Sequence, residues 1–166
     1  MKQLRRLGSA PSIALAALLL PALGGCSSGP ALPDLPECPG PMCTCDNPDQ
    51  CTCAPGSMCA LRCADGCNFN CREDGTCASA AGNGAVLECV EDTTCTLYAG
   101  DDSTVTCTAA ECTIEVGGGS TVTCRDRGTC DVTCTGACTV SCEGATTCTF
   151  RCGADGAPMD GSGSCG

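Results

Sequence analysis

The sequence predicts an all-β fold, a small disulfide-rich β-solenoid of about six 18-residue coils. Three observations carry this prediction. Cysteine fills 23 of 166 positions, far above the level that marks a disulfide scaffold. The cysteines recur at a nearly constant short period, which is typical of a solenoid. The segments between them alternate apolar and polar residues, as half-buried β-strands do.

Residues 1–25 are predicted to be a secretory signal peptide. The chain begins with the positively charged MKQLRR and continues to an apolar run of eleven residues, Ile13–Leu23. Eleven residues rise about 16 Å as a helix, which is too short for a bilayer core of about 30 Å. The run therefore fits the apolar region of a signal peptide rather than a membrane span.

The four residues Leu23–Cys26, which read LGGC, resemble the lipobox of bacterial lipoproteins. The resemblance implies that Cys26 carries a diacylglyceryl thioether, that cleavage occurs before it, and that its new amine is acylated. Ser27 implies sorting to the outer membrane. Without Cys26 the chain keeps 22 cysteines, an even number that can all pair. The alternative is an ordinary signal peptide cleaved near Ala22 or Gly25, with Cys26 in a disulfide.

Residues 26–42 are predicted to form the lipidated N-terminus and a tether. Proline at this density blocks helix and sheet and favours an extended polyproline conformation. At about 3.1 Å per residue, such a tether reaches roughly 45 Å from the membrane. Its prolines are Pro30, Pro33, Pro36, Pro39 and Pro41.

Residues 43–166 are predicted to form the solenoid domain. Inside a coil, Cys112, Ile114 and Val116 share one face of a strand, and Thr113 and Glu115 share the other. Glycine-rich turns separate the two strands of each coil. Two columns of cysteines recur with gaps of 17 or 18 residues, one at Cys53, Cys71, Cys89, Cys107, Cys124 and Cys142, the other at Cys59, Cys77, Cys95, Cys112, Cys130 and Cys148.

The cysteine columns predict disulfides across the bends of each coil. The first column would pair with the second, and Cys63 with Cys67, Cys134 with Cys138 and Cys152 with Cys165. The pairs at 63/67 and 134/138 support this, because the two cysteines are present or absent together: the same positions elsewhere hold Ala81/Ala85, Ala99/Ser103 and Val116/Ser120. Cys38, Cys43, Cys45 and Cys51 remain, enough for two further bonds.

An alternative pairing stays open. Strands of neighbouring coils lie about 4.8 Å apart, within the Cα range of a disulfide, so rungs such as Cys71–Cys89 are also possible.

Coil 107–123 is one residue shorter than the others, and the deletion falls between Cys107 and Cys112. A scaffold of this kind needs an oxidising compartment, and the predicted signal peptide indicates export to one.

Composition disfavours two classes of function, nucleic-acid binding and enzyme catalysis. After residue 26 the chain carries nineteen acidic and five basic side chains, a net charge of −14, which repels phosphate backbones and disfavours nucleic-acid binding. The chain has no histidine, and Lys2 is its only lysine, so the usual nitrogen bases and nucleophiles are missing. The sequence predicts a protein that is not an enzyme.

Three more specific interpretations compete with a plain solvated surface. Thr-Cys-Thr at 94–96 and 147–149 resembles the motif of disulfide-bridged insect antifreeze solenoids, but Glu88, Glu111 and Asp131 interrupt the threonine columns, and the coils have 18 residues where that family has about twelve. The acidic turns Asp101–Asp102 and Glu91–Asp92 predict at most a weak Ca²⁺ site.

The third interpretation is a soft-metal site. The pairs Cys43/Cys45 and Cys51/Cys53 resemble the C-x-C steps of metal-sequestering proteins, yet no C-x-x-C occurs.

Taken together, these observations predict a protein without a cofactor, held on the outer membrane by lipid, that serves as a structural or surface interaction module. Its expected partner is an envelope protein or polysaccharide. The alternative function is calcium or soft-metal sequestration.

Overall fold

A computed structural model describes residues 43–47, 50–72 and 74–166, with residues 43–47 and Gln50 described through the backbone alone. These residues form strands and bends and no helix, and the strands wind into a β-solenoid, which confirms the predicted fold class. In chain order the strands are β1 (Cys43–Asn47), β2 (Gln50–Cys53), β3 (Met58–Cys63), β4 (Asn68–Cys71), β5 (Thr76–Ala81), β6 (Val86–Val90), β7 (Thr94–Ala99), β8 (Thr104–Thr108), β9 (Glu111–Val116), β10 (Ser120–Arg125), β11 (Thr129–Cys134), β12 (Cys138–Glu143), β13 (Thr147–Cys152), β14 (Met159–Asp160) and β15 (Gly163–Cys165).

Each coil contributes one strand to each of two sheets. The eight-stranded sheet has the order β1-β2-β4-β6-β8-β10-β12-β15, and the seven-stranded sheet has the order β14-β13-β11-β9-β7-β5-β3. From β2 to β13, neighbouring strands within a sheet are parallel and in register with the sequence period. Val105, for example, pairs with Leu87 on one side and with Val122 on the other.

The core lies between the inner faces of the two sheets. Because side chains alternate along a strand, every second residue of each coil points inward and stacks on its equivalents in the neighbouring coils. These stacks are buried. The seven-stranded sheet contributes Leu61, Ser79, Leu97, Ile114, Val132 and Phe150, and the eight-stranded sheet contributes Phe69, Leu87, Val105, Val122 and Val140.

Antiparallel strands replace the repeat at both ends of the described domain. Strand β1 pairs antiparallel with β2, and at the other end β15 and β14 pair antiparallel with β12 and β13. At the C-terminal end these short strands cover the open edges of both sheets. Edge strands of two or three residues leave few backbone groups free to pair with another chain.

Ser79 is the exception among the inward-facing residues. It occupies the same stack as Leu61 and Leu97, is 0% exposed, and its hydroxyl has no hydrogen-bond partner among the described residues. The other inward serines differ, because Ser103 Oγ accepts a hydrogen bond from the Ala85 amide at 3.2 Å. An unpaired buried hydroxyl lowers stability, since it loses its bonds to water without replacement.

Substitution of Ser79 tests this assignment. Ser79→Ala is expected to raise the free energy of unfolding by about 1 kcal/mol, because it removes the unpaired hydroxyl and leaves little space behind. The matched control is Ser103→Ala, which leaves the Ala85 amide unpaired and is expected to lower stability by about 1 kcal/mol. Urea unfolding with the disulfides intact measures both values. Equal destabilisation by the two variants would contradict the assignment.

Candidate functional site

The predicted lipidation site and the regions on either side of it lie outside the described residues. This applies to the signal peptide at 1–25, to Cys26 and to the tether at 26–42. Their assignment stays a prediction from the sequence. In the part of the chain that the structure does describe, no helix is long and apolar enough to cross a membrane.

Disulfides join the two cysteine columns within each coil. The six pairs are Cys53–Cys59, Cys71–Cys77, Cys89–Cys95, Cys107–Cys112, Cys124–Cys130 and Cys142–Cys148, with Cα–Cα distances of 6.0–6.6 Å. Each bond closes the bend that leads from the eight-stranded to the seven-stranded sheet. The alternative rungs between coils are not formed at these positions. The bends therefore form a continuous ridge of closed loops along one side of the solenoid, called here the disulfide ridge.

Three further disulfides lie at the opposite side. Cys63–Cys67 and Cys134–Cys138 close two bends from the seven-stranded to the eight-stranded sheet, both with Cα–Cα distances of 6.0 Å. Cys152–Cys165 ties the last full strand to the C-terminal cap at 5.5 Å. Cys51 is also disulfide-bonded. Where cysteines are absent from these bends, small residues such as Ala81 and Ala85 are buried in their place.

The stacked disulfides bring sulfur atoms from neighbouring coils together. The Sγ atoms of Cys71 and Cys77 lie within 4.8 Å of the Cys53 Sγ atom, and those of Cys89 and Cys95 lie equally close to the Cys71 Sγ atom. Soft metals bind thiolates, and these sulfur atoms are held in disulfides. In its oxidised form this ridge offers sulfur packing rather than a set of metal ligands.

The acidic bends on the side opposite the disulfide ridge form a hydrogen-bonded ladder. Asp65 Oδ1 accepts a hydrogen bond from the Asn83 amide, Asn83 Oδ1 accepts one from the Asp101 amide, and Asp101 Oδ1 accepts one from the Gly118 amide, at 2.7–2.8 Å. The ladder ends at Gly118, which has no side chain to continue it. These side chains hold successive coils together.

The ladder bears on the predicted calcium site. One oxygen of Asp101 already accepts the Gly118 amide, and among the described residues no three carboxylates converge to within 4.8 Å of one another. Ca²⁺ takes six to eight oxygen ligands. The weak Ca²⁺ site at Asp101–Asp102 or Glu91–Asp92 stays a prediction from the sequence.

The outer face of the eight-stranded sheet carries an array of hydroxyl groups. Thr104, Thr121 and Thr139 form one row across three neighbouring strands, and their side chains are exposed. A half-buried second row runs beside them, and none of the six hydroxyls makes a side-chain hydrogen bond within the described residues. We call this surface the hydroxyl face; it comprises Thr104, Thr106, Thr121, Thr123, Thr139 and Ser141.

The outer face of the seven-stranded sheet is more strongly charged. Glu111 lies between Thr94 and Thr129 in one row of outward residues. In the next row, Asp131 Oδ1 accepts hydrogen bonds from Thr149 at 3.3 Å and from Arg151 at 2.9 Å. The threonine columns predicted from Thr-Cys-Thr are thus interrupted by charges on this sheet.

Sequence reasoning missed the ladder of Asp65, Asn83 and Asp101. Its signal was available, since the three residues are 18 positions apart, each beside a glycine. Side-chain oxygens at equivalent bend positions of stacked coils lie within reach of the next coil's amide.

Comparison with protein-family models, curated proteins and solved structures finds no match to this chain.

Proposed function

We propose that this chain is a bacterial outer-membrane lipoprotein whose solenoid serves as a non-catalytic interaction module. Its lipid would be attached at Cys26, and the proline-rich residues after it would hold the solenoid away from the membrane. Several acyl chains anchor a protein stably, because each buried CH₂ contributes about 0.8 kcal/mol. The LGGC motif behind an apolar run of eleven residues supports the anchor.

The hydroxyl face is the observation that carries the proposed interaction role. Its parallel strands place hydroxyls about 4.8 Å apart across the sheet and about 6.6 Å apart along each strand. Disulfides at the bends hold these strands in place, so the surface is preorganised, which lowers the entropic cost of binding. Unpaired hydroxyls on a rigid surface favour a partner rich in hydrogen-bonding groups, such as an envelope polysaccharide or the polar surface of an envelope protein.

The composition supports a role without catalysis. No histidine is present, and Lys2 lies in the predicted signal peptide. The acidic side chains of the described domain are divided almost evenly between the strands and the bends. Their charge keeps the protein soluble and disfavours anionic partners such as nucleic acids.

Site-specific photo-crosslinking in the native host tests the interaction role. A photoreactive residue at Thr123, in the middle of the hydroxyl face, is expected to capture one envelope component reproducibly. The matched control carries the same residue at Glu115, which points outward from the seven-stranded sheet, and is expected to capture it at least tenfold less. Equal yields at both positions, or no product at Thr123, would contradict the proposal.

A further inference from the structure

The disulfide ridge contains one bend that is shorter than its neighbours. The bend between β8 and β9 has two residues, Ala109 and Ala110, whereas the bends before and after it have three, 91–93 and 126–128. Backbone hydrogen bonds still connect the short bend to both neighbours: the Asp92 amide donates to Ala109 O at 2.8 Å, and the Ala109 amide donates to Arg125 O at 3.2 Å. The missing residue therefore leaves a gap at the surface without breaking the stack.

The gap is a notch of about 280 Å³ whose floor is the short bend. Ala110 is 6% exposed, so the floor is small and apolar. Asp92 and Arg127 stand on the walls formed by the two longer bends. The remaining lining residues are Thr93, Thr94, Ala109, Glu111 and Thr129. A six-residue cysteine spacing, as in the other five bends of the ridge, would place one more residue at this point.

The notch holds charges of both signs that have no partner. The side chains of Asp92, Glu111 and Arg127 are exposed, and none of them makes a hydrogen bond or ion pair within the described residues. The other two arginines on this half of the solenoid differ. Arg125 Nε donates to Thr108 Oγ1 at 3.1 Å, and Arg151 pairs with Asp131 at 2.9 Å. Arg127 thus faces the notch with its donors available.

The sizes and charges define the ligand. A cation would meet Arg127 and an anion would meet two carboxylates, so only a molecule with both charges is complementary to all three groups. Asp92 and Arg127 belong to coils two apart, which are separated by about 10 Å. A ligand with an ammonium and a carboxylate about 3 Å apart and one charge-assisted hydrogen bond of about 2.8 Å at each end has a length of the same order as this backbone spacing.

We propose that the notch binds a free α-amino acid with a small side chain. Its carboxylate contacts the Arg127 guanidinium, and its ammonium contacts Asp92 and Glu111. Thr94 and Thr129 also line the notch, and the apolar floor at Ala110 is complementary to a small apolar side chain. This site lies on the disulfide ridge, apart from the hydroxyl face, so it does not depend on the interaction role proposed above.

Calorimetric titration of the full-length protein in detergent tests the proposal with three matched probes. L-alanine carries both charges, ethylamine lacks the carboxylate, and propionate lacks the ammonium. L-alanine is expected to bind at least tenfold more tightly than either analogue, since each analogue loses one charged contact. Equal binding of the three, or no heat from L-alanine at about 50 mM, would overturn the proposal.

Variants locate the binding. Arg127→Gln and Asp92→Asn are each expected to weaken L-alanine binding at least tenfold, and Asn suits the left-handed backbone of position 92, where φ is 55°. The control Arg125→Gln, whose guanidinium contacts Thr108, is expected to leave binding unchanged. Insertion of one glycine between Ala109 and Ala110 restores the usual bend length and is expected to abolish binding with all charges kept. Undiminished binding in Arg127→Gln or in the insertion variant would overturn the proposal.

Discussion

Reduction of the disulfides under native conditions is expected to abolish the cooperative thermal unfolding transition of the solenoid. The core is narrow, and among the described residues its buried aromatic side chains are Phe69 and Phe150. Each loop of about six residues contributes roughly 2 kcal/mol in the chain-entropy model. Losing several such bonds removes as much free energy as the 5–15 kcal/mol by which domains are usually stable.

Circular dichroism measures this effect. On heating, the ellipticity of the oxidised protein near 218 nm is expected to change in a single cooperative transition. The protein treated with a phosphine and alkylated is expected to be unfolded already at 25 °C and to show no such transition. Mass spectrometry of the same sample confirms that every thiol is alkylated. A cooperative transition that persists in fully alkylated protein would show that the packed strands, rather than the disulfides, hold the coils together.

Replacement of Cys26 is expected to move the protein from the membrane to the aqueous fraction. A serine at this position offers no thiol for lipid attachment, and without acyl chains the acidic chain has little affinity for an anionic membrane surface. Phase partition in a cloud-point detergent measures the change: the unaltered protein is expected almost entirely in the detergent phase, and Cys26→Ser almost entirely in the aqueous phase.

A neighbouring substitution controls for disturbance of the N-terminal region. Ser28→Ala changes a residue two positions further along and keeps LGGC intact, so it is expected to partition into detergent as the unaltered protein does. Equal retention of Cys26→Ser in the detergent phase would contradict lipidation at this cysteine. Recovery of the unaltered protein in the aqueous phase would favour the ordinary signal peptide.

The repeat and its alternation were predictable because they are local properties of the chain. Inward residues such as Leu97 and Ile114 follow a cysteine by two positions, and a period of two identifies the buried face of a strand. The one-residue deletion was also visible between Cys107 and Cys112. These features determine the coil, the two sheets and their register.

The choice between pairing within coils and pairing between coils could not be made from spacing. Both arrangements place Cα atoms within the range a disulfide accepts, and only the path of the backbone through the bend decides between them. The structure places the Cα atoms of Cys71 and Cys77 6.3 Å apart across the bend, with their sulfur atoms bonded. The antiparallel caps β14 and β15 were likewise unpredictable, because residues 153–166 no longer repeat the cysteine spacing.

The surface features depend on how neighbouring coils differ. The notch exists because a two-residue bend lies between two three-residue bends, each of which has two consecutive left-handed residues, Glu91–Asp92 and Asp126–Arg127. The sequence locates the deletion but does not reveal whether the neighbouring bends close over it. The unpaired hydroxyl of Ser79 was missed for a similar reason, since a serine on an inward face can bond to a nearby backbone group, as Ser103 does.

The intact mass of the protein purified from its native membrane tests together whether the solenoid is oxidised and whether Cys26 carries lipid. The mass is measured after thiol alkylation, with and without prior reduction. We expect a lipidated N-terminal Cys26, no alkylated thiol before reduction, and 22 alkylated thiols after it. Many free thiols before reduction, or a mature chain without lipid at Cys26, would contradict this expectation.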